Sequence, residues 1–434
     1  MDNKDYFNET GFLNKEIEAD SQGSDDSGER AVLAAIDDGT LEELAELART
    51  AGAEVVGEIV QRREAVHPKH YLGKGKVEEL KDAAEEAKAD LIIANDELSP
   101  SQLRNLSKML DIKVVDRTAL ILDIFAMRAR SAEGRAQVEM AQLKYRLTRL
   151  TGLGKAMSRI GGTSGPIGTR GPGETKLETD RRHIRERLNK LRDELKEIRK
   201  RRDVTRQKRE RSGIPVVALV GYTNAGKSTL MNKISGAEVF VEDKLFATLD
   251  TTTRKIHINS SEVLLTDTVG FIQKLPTGLV EAFKSTLEEV RYADILLHVV
   301  DASNPDFSNH MAVAYDTMAS LGAGSQPVIT VFNKMDKLID EPAPFDPRAA
   351  AVVHVSAVKG DGILALNEAI AWALNNMRKR MTVLIPFSNG SLVDYAHKNC
   401  TVLSQEHIEE GVLLEIYGDD EAVGKLEMYE KTFP

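Results

Sequence analysis

The octapeptide Gly221-Tyr-Thr-Asn-Ala-Gly226-Lys227-Ser228 constrains this chain more than any other stretch, because it follows the apolar run Pro215–Val220 and opens a helical pattern. A G-x-x-x-x-G-K-S spacing between strand and helix is that of a phosphate-binding loop. Its glycines let main-chain N–H groups converge on an anion, and the helix N-terminus adds positive potential. The surrounding residues are therefore expected to form a doubly wound, mostly parallel α/β sheet. Lys227 is expected to bridge the β- and γ-phosphates and the Ser228 hydroxyl to ligate Mg²⁺, with Tyr222, Thr223, Asn224, Ala225 and Thr229 completing the loop.

Further signals follow in order. The strand Val263–Thr266 leads into Asp267-Thr268-Val269-Gly270, where Asp267 would hold a Mg²⁺-bound water and the Gly270 N–H would sense the γ-phosphate. The strand Ile329–Phe332 ends in Asn333-Lys334-Met335-Asp336. A carboxylate there accepts two hydrogen bonds from guanine N1 and N2, a pair that adenine does not offer. Asn333 would tie the base edge to a neighbouring loop, and the Lys334 stem would cover the base. The strand Val352–Val355 leads to Ser356-Ala357-Val358, where the Ala357 N–H can donate to guanine O6. A lone N-K-x-D is weak, but all four motifs in order, each after a strand, imply GTP and GDP as ligands and residues 214–377 as their domain.

Between the first two motifs, Phe246-Ala247-Thr248-Leu249-Asp250 is the expected first switch. Thr248 is the candidate to close over Mg²⁺ and the γ-phosphate, with Thr251, Thr252 and Thr253 as rivals. Lys227, Thr248, Asp267 and Gly270 are then the expected catalytic set, and Ser228 with Thr248 the metal ligands. The position after Gly270, where many such proteins carry a water-orienting glutamine, is Phe271. Phenylalanine cannot orient water, which implies slow hydrolysis until a partner completes the site. The Asn224 amide oxygen is a candidate ligand for K⁺ near the phosphates.

The rest of the 434 residues divides by composition. Residues 1–29 are acidic, poor in apolar groups, and read as a disordered tail. Residues 30–126 alternate short β-branched runs with helical stretches, which predicts a small parallel or mixed α/β domain. Over residues 127–211, Ala136, Met140, Leu143, Leu147 and Leu150 are spaced four, three, four, three, and Ile184, Leu188, Leu191, Leu195 and Ile198 repeat that spacing. Narrow seams of this kind predict an antiparallel coiled-coil hairpin, with the Gly-rich residues 152–173 as a basic tip loop. Residues 381–434 are expected to form a small α+β module. The net charge of −10 conceals a basic run, since Asp180–Arg211 holds about fifteen Lys/Arg against about seven Asp/Glu. A single cysteine, Cys400, excludes an intrachain disulfide and a thiolate metal cluster. With no membrane-spanning run and no secretory signal at the N-terminus, the cytoplasm is the default compartment, and a monomer is the expectation. His67 and His70 read as structural. Gly73 and Gly75 before a helix raise ATP as a second ligand, but a lone GKGK is weak evidence and a simple loop explains it better.

The assembled segments resemble the HflX family of ribosome-associated GTPases, related to the Obg proteins, over nearly the whole chain after residue 30. GYTNAGKST, FATLDTTTR and DTVGFIQKLP carry the resemblance in the nucleotide domain. HPKHYLGKGK at His67–Lys76, DRTALILDIFAMRA at Asp116–Ala129 and RGPGETKLETDRR at Arg170–Arg182 carry it elsewhere. Asp250-Thr251 departs from the Asp-Pro expected there, which loosens the switch backbone. The resemblance implies binding to the large (50S) ribosomal subunit and its rRNA. It further implies GTP-dependent splitting of stalled ribosomes under stress, or a part in subunit biogenesis. Arg159, Arg170, Lys176, Arg181 and Arg182 are the candidates for RNA contact. Two alternatives remain: a signalling GTPase with a protein partner, and ATP-dependent RNA remodelling through the N-terminal domain.

Overall fold

A computed structural model describes residues 28–37, 39–160, 172–210, 213–236, 245–246, 249–259, 261–274, 289–338, 342–377, 379–418 and 420–431. For residues 151–160, 172–177, 207–210, 379–380, 401 and 420–421 it describes the backbone alone. The expected acidic tail lies outside the described residues except for Gly28 and Glu29.

The first domain is a four-stranded sheet of β1 (Arg30–Ala35), β2 (Glu54–Val60), β3 (Leu91–Ala94) and β4 (Lys113–Asp116). All strands are parallel, in the order β2-β1-β3-β4. Parallel strands require helical crossovers, here α1 (Leu41–Thr50), α2 (Lys74–Glu86) and α3 (Pro100–Leu110), with α4 (Arg117–Arg128) following β4. Local chemistry sets the helix starts. Ser99 and Gln102 form a reciprocal capping box at α3, with Pro100 in the first turn. The Asp116 carboxylate caps α4 by accepting from the Ala119 N–H at 2.9 Å.

Two long helices come next, α5 (Ala132–Ile160) and α6 (Pro172–Glu210). Their contacts run in opposite senses along the chain: Arg202 pairs with Glu133, Arg187 with Glu139, and Arg181 donates to the Leu150 carbonyl. Leu150, Leu188 and Leu191 are buried in the seam. One expectation needs correcting. Helix α5 continues through Ile160, into residues assigned to a loop from Gly152, and α6 already begins at Pro172. Before residue 161 the segment holds only two glycines, Gly152 and Gly154. Each costs about 1 kcal/mol relative to alanine, which a helix already nucleated over five turns can absorb. Residues 161–171 lie outside the described residues.

The second sheet has six strands in the order β10-β9-β8-β5-β7-β6. They are β5 (Val216–Val220), β6 (Thr252–Ile258), β7 (Ser261–Asp267), β8 (Ile295–Asp301), β9 (Val328–Asn333) and β10 (Ala351–His354). Only β6 runs antiparallel, and the remainder is the doubly wound parallel sheet expected. Helices α7 (Lys227–Ser235), α8 (Phe307–Ser320) and α9 (Ile363–Met377) cover it. At the C-terminal end, β11 (Lys379–Ile385), β12 (Thr401–Ile408) and β13 (Gly411–Gly418) form an antiparallel sheet in the order β11-β13-β12. It packs with α10 (Gly390–Asn399) and α11 (Asp420–Gly424). Helix α11 stops at Gly424, and a 3₁₀ turn follows at Glu427–Tyr429. Glycine's backbone freedom is the physical reason for that break.

The first two sheets share a core. One apolar cluster runs from β1 and α1 through Phe125 of α4 to Tyr222, Phe246, Leu249, Phe271 and Ile272. Phe125 meets Phe246 edge to face at 4.6 Å between ring centroids.

Candidate functional site

Strand β5 lies in the middle of its sheet and delivers the loop Gly221–Ser228 to the carboxyl ends of the strands, where open α/β sheets bind ligands. Two glycines there are obligatory. Gly221 sits at φ 143°, and a Cβ on it would lie 2.2 Å from the Val299 carbonyl oxygen. Gly226 sits at φ 92°, and a Cβ would lie 2.3 Å from the Asn333 side-chain nitrogen. The second glycine therefore makes room for Asn333, whose amide donates to the Ala225 carbonyl at 2.9 Å. Its oxygen accepts from the Ala357 N–H at 3.0 Å. One buried amide thus joins the Gly221–Ser228 loop, the end of β9 and the loop after β10.

The other residues of that end are fixed in the same internal way. The Ser356 hydroxyl donates to Asp336 at 2.7 Å, and this bond holds the carboxyl below its usual pKa. Lys334, at φ 63°, pairs with Asp301 at 2.7 Å, which lays its stem along the loop. Met335 N–H donates to the Val355 carbonyl at 3.2 Å. Val358 is 76% exposed, at the open edge of the site. Asp336 is thus an ionised acceptor on a rigid turn, beside a main-chain donor.

At the other end, Lys227 is buried and its ammonium donates to the carbonyls of Gly221 at 3.0 Å and Tyr222 at 2.7 Å. Burial pushes its pKa down to about 8, against the pull of Asp267. The Ser228 hydroxyl donates to the Asp267 carboxylate at 2.6 Å. Thr268 is buried, its hydroxyl on the Leu219 carbonyl at 2.6 Å, and Val269 packs in the shared core. Thr229 lies half-buried in the first turn of α7. The strand past Gly270 folds onto the loop: Phe271 N–H donates to the Gly221 carbonyl at 3.0 Å, and Thr223 N–H donates to the Phe271 carbonyl at 2.8 Å. A cavity of about 230 Å³ beside the loop is lined by Glu42, Glu43, Asp301 and Asp306. Its acidic wall repels phosphate, so anions belong on the Lys227 side.

Of the expected first switch, Ala247 and Thr248 lie outside the described residues. Phe246 and Leu249 are buried, and Asp250 faces away from the loop toward α5. Its carboxylate accepts from the N–H groups of Arg130 at 2.8 Å and Ser131 at 2.7 Å, and from the Ser131 hydroxyl. Arg170 and the side chains of Arg159 and Lys176 also lie outside. Arg181 is engaged with α5, and Arg182 is exposed with Glu186 at 3.9 Å. The two stacked rings of His67 and His70 hold a tight turn, consistent with a structural part.

Sequence reasoning overlooked a group that reaches the phosphate end from the first domain. Arg117, the largest fully buried side chain, bonds the Gln273 carbonyl at 3.1 Å. It also pairs with Glu43, which in turn receives the Tyr222 hydroxyl. The Tyr222 ring stacks on His310 at 3.8 Å. The only signal for these contacts was the Asp116-Arg117 step inside DRTALILDIFAMRA, which says nothing of a partner 156 residues away.

Comparison with known proteins agrees in extent. Residues 38–126 match a family model described as GTP-binding GTPase N-terminal, residues 128–209 one described as GTP-binding GTPase Middle Region, and residues 216–334 one described as 50S ribosome-binding GTPase. The GTPase HflX of Caldanaerobacter subterraneus subsp. tengcongensis is 52% identical over 390 residues, covering 88% of this chain and 90% of the relative. The GTPase HflX of Escherichia coli is 42% identical over 381 residues, covering 85% and 88%. Among solved structures, a GTP-binding protein from Sulfolobus solfataricus in complex with GDP is 24% identical with a TM-score of 0.44, over 80% of this chain and 99% of that one.

Proposed function

The chain belongs to the HflX family of GTPases and is a GTP-binding, GTP-hydrolysing enzyme, and from that premise we propose that it acts on the large (50S) ribosomal subunit. In this reading GTP orders the switches, the ordered protein engages the subunit, and hydrolysis releases it. Splitting of stalled ribosomes under stress, or a part in subunit biogenesis, is the outcome.

The observation that supports the site reading best is Asn333. Its two hydrogen bonds tie the loop after β10 to the Gly221–Ser228 loop, and Ser356 of the same loop holds Asp336, which suits a guanosine nucleotide spanning both ends. In this reading Asp336 accepts from guanine N1 and N2, the Ala357 N–H shares its hydrogen between Asn333 and guanine O6, and the Lys334 stem covers the ring. Lys227 leaves two carbonyls to grip the β- and γ-phosphates, and the Gly270 N–H meets the γ-phosphate. The Ser228 hydroxyl would ligate Mg²⁺, and the Asp267 carboxylate, 2.6 Å from it, would hold a Mg²⁺-bound water. Among the described residues no group of three or more His, Cys, Asp or Glu gathers, so Mg²⁺ would take its remaining ligands from the nucleotide, water and Thr248. Mg²⁺, when bound, neutralises charge on the β- and γ-oxygens. Asn224, at φ 59° on the rim of the loop, is where K⁺ would add further charge. Phe271 is 3% exposed and packed in the shared core, which supports slow hydrolysis until the ribosome contributes.

Helices α5 and α6 read as a coiled-coil hairpin whose far end, with Arg159, Arg170 and Lys176, enters an rRNA crevice. Residues 381–434 read as a separate α+β module. No helix among the described residues is long and apolar enough to cross a membrane, which agrees with action in the cytoplasm, and a monomer suffices for the site. ATP binding in the first domain is disfavoured, because Gln273 and Lys274 of the second domain already fill the crevice at the ends of its strands. Sedimentation with 30S, 50S and 70S particles tests the proposal. Binding to 50S that needs a GTP analogue and weakens steeply with salt is expected. Salt-insensitive capture of one protein without RNA would replace it with the signalling reading.

A further inference from the structure

Open α/β domains place ligands in the crevice outside the carboxyl ends of their strands, where the strand order reverses. In the first sheet that point lies between β1 and β3. Asp37 follows β1, Asp96 follows β3, and both carboxylates receive the Lys274 ammonium, at 3.0 and 3.1 Å. Arg117, at the end of β4, sends one nitrogen to Asn95 at 3.0 Å and the other to the Gln273 carbonyl and to Glu43. The Gln273 N–H donates to the Tyr222 hydroxyl at 2.9 Å, and that hydroxyl donates to Glu43. Arg117, Gln273, Tyr222 and Glu43 thus form a closed ring, and the crevice holds the second switch as its ligand. Lys274 sits at φ 49°, a backbone conformation that a lysine keeps only where its surroundings impose it.

What this grip holds in place is decisive for the phosphates. A Cβ on Gly270 would lie 2.7 Å from Thr223 Cγ2, 2.8 Å from Thr223 Cα and 3.0 Å from the Lys227 ammonium. Gly270 therefore lies directly against Thr223 and the Lys227 ammonium, beside the atom that the γ-phosphate must reach in the proposed reading. Diphosphate makes no such approach.

We propose that the crevice of the N-terminal domain is a receptor for switch II, and that Arg117, Glu43, Asp37 and Asp96 are specificity-determining residues that favour GDP over GTP by holding Gln273 and Lys274 down. The proposal rests on the reading of Gly270 as the γ-phosphate sensor. Linkage makes the effect reciprocal: a bound γ-phosphate draws switch II out of the crevice and uncovers its carboxylates.

Titration calorimetry of the full chain with Mg²⁺, using GDP and a non-hydrolysable GTP analogue, tests it. Lys274→Ala alters a side chain 36% exposed, so folding is not at stake. It is expected to tighten analogue binding about fivefold or more while GDP stays within about twofold. Arg117→Ala moves the ratio in the same direction. Lys274→Asp alone does so too, and the exchanged pair Lys274→Asp with Asp96→Lys brings the ratio back toward that of the unaltered chain. An unchanged ratio in Lys274→Ala, or affinities for both nucleotides moving together, overturns the proposal. Failure of the unaltered chain to bind either nucleotide is a different result, and removes the guanine-nucleotide reading itself.

Discussion

The two ends of the nucleotide site are built on opposite plans. The guanine end is closed on itself: Asn333, Lys334, Asp336, Ser356 and Ala357 take their partners from the second domain alone. The phosphate end is tied outward. Tyr222 and Gln273 are held through Glu43 and Arg117, Lys274 through Asp37 and Asp96, and Asp250 through Arg130 and Ser131. In the proposed reading, base choice is a fixed property of the domain, whereas the reading of phosphate number is shared with the rest of the chain. A switch protein needs that division, since the base is the same before and after hydrolysis and only the γ-phosphate changes.

The largest effect that can break this comparison is expected at the closed end. Asp336→Asn removes two charge-assisted hydrogen bonds to guanine, worth about 1.5–3 kcal/mol each, so GDP affinity should fall roughly 10²–10⁴-fold. The amide can donate to xanthine, so xanthosine diphosphate should gain. Calorimetry should find the preference between di- and triphosphate unaltered. If that preference shifts, the two ends are not independent.

An intermediate effect comes from pH. Lys227, proposed to grip phosphate, is protonated below about 8 in the free protein and in that role must take up a proton to bind above it. Burial has lowered this pKa, so the sign is fixed: affinity is flat below about pH 8 and declines by up to about tenfold per unit above it. Titrations in buffers of different ionisation enthalpy should show proton uptake there. Equal affinities at pH 7 and 9.5 would contradict the buried, desolvated Lys227.

The smallest effect sharpens the comparison at the first switch. Asp250→Ala removes the bonds to Arg130 and Ser131 ahead of α5, which should cost about 0.5–2 kcal/mol, as helix caps do. Thermal unfolding reads the loss, and guanine over adenine selection should not move. A wild-type melting temperature in this variant would show that the link to α5 carries no load.

Local chemistry made the motifs of both ends readable and left the outward ties of the phosphate end hidden. Motifs that follow strands carry their meaning in neighbouring residues, so the motif residues could be read directly, and the alternation of strands and helices expected over residues 30–126 is the one observed. Helix α2 starts at Lys74, where Gly73 in extended conformation serves as its cap. Helix α5 outran its expected end because glycine was weighed without the cooperativity of a helix already formed. The Arg117–Gln273 and Ser131–Asp250 bonds span 156 and 119 residues, and no local periodicity encodes a contact of that kind.

The placement of Asp250 has a mechanical consequence. It is anchored beside the first residues of a 29-residue helix, which at 1.5 Å per residue is a lever about 43 Å long. A tilt of only about 10° at that pivot would carry the opposite end through about 7 Å. The smallest adjustment around a phosphate is thereby magnified into a displacement on the scale of RNA.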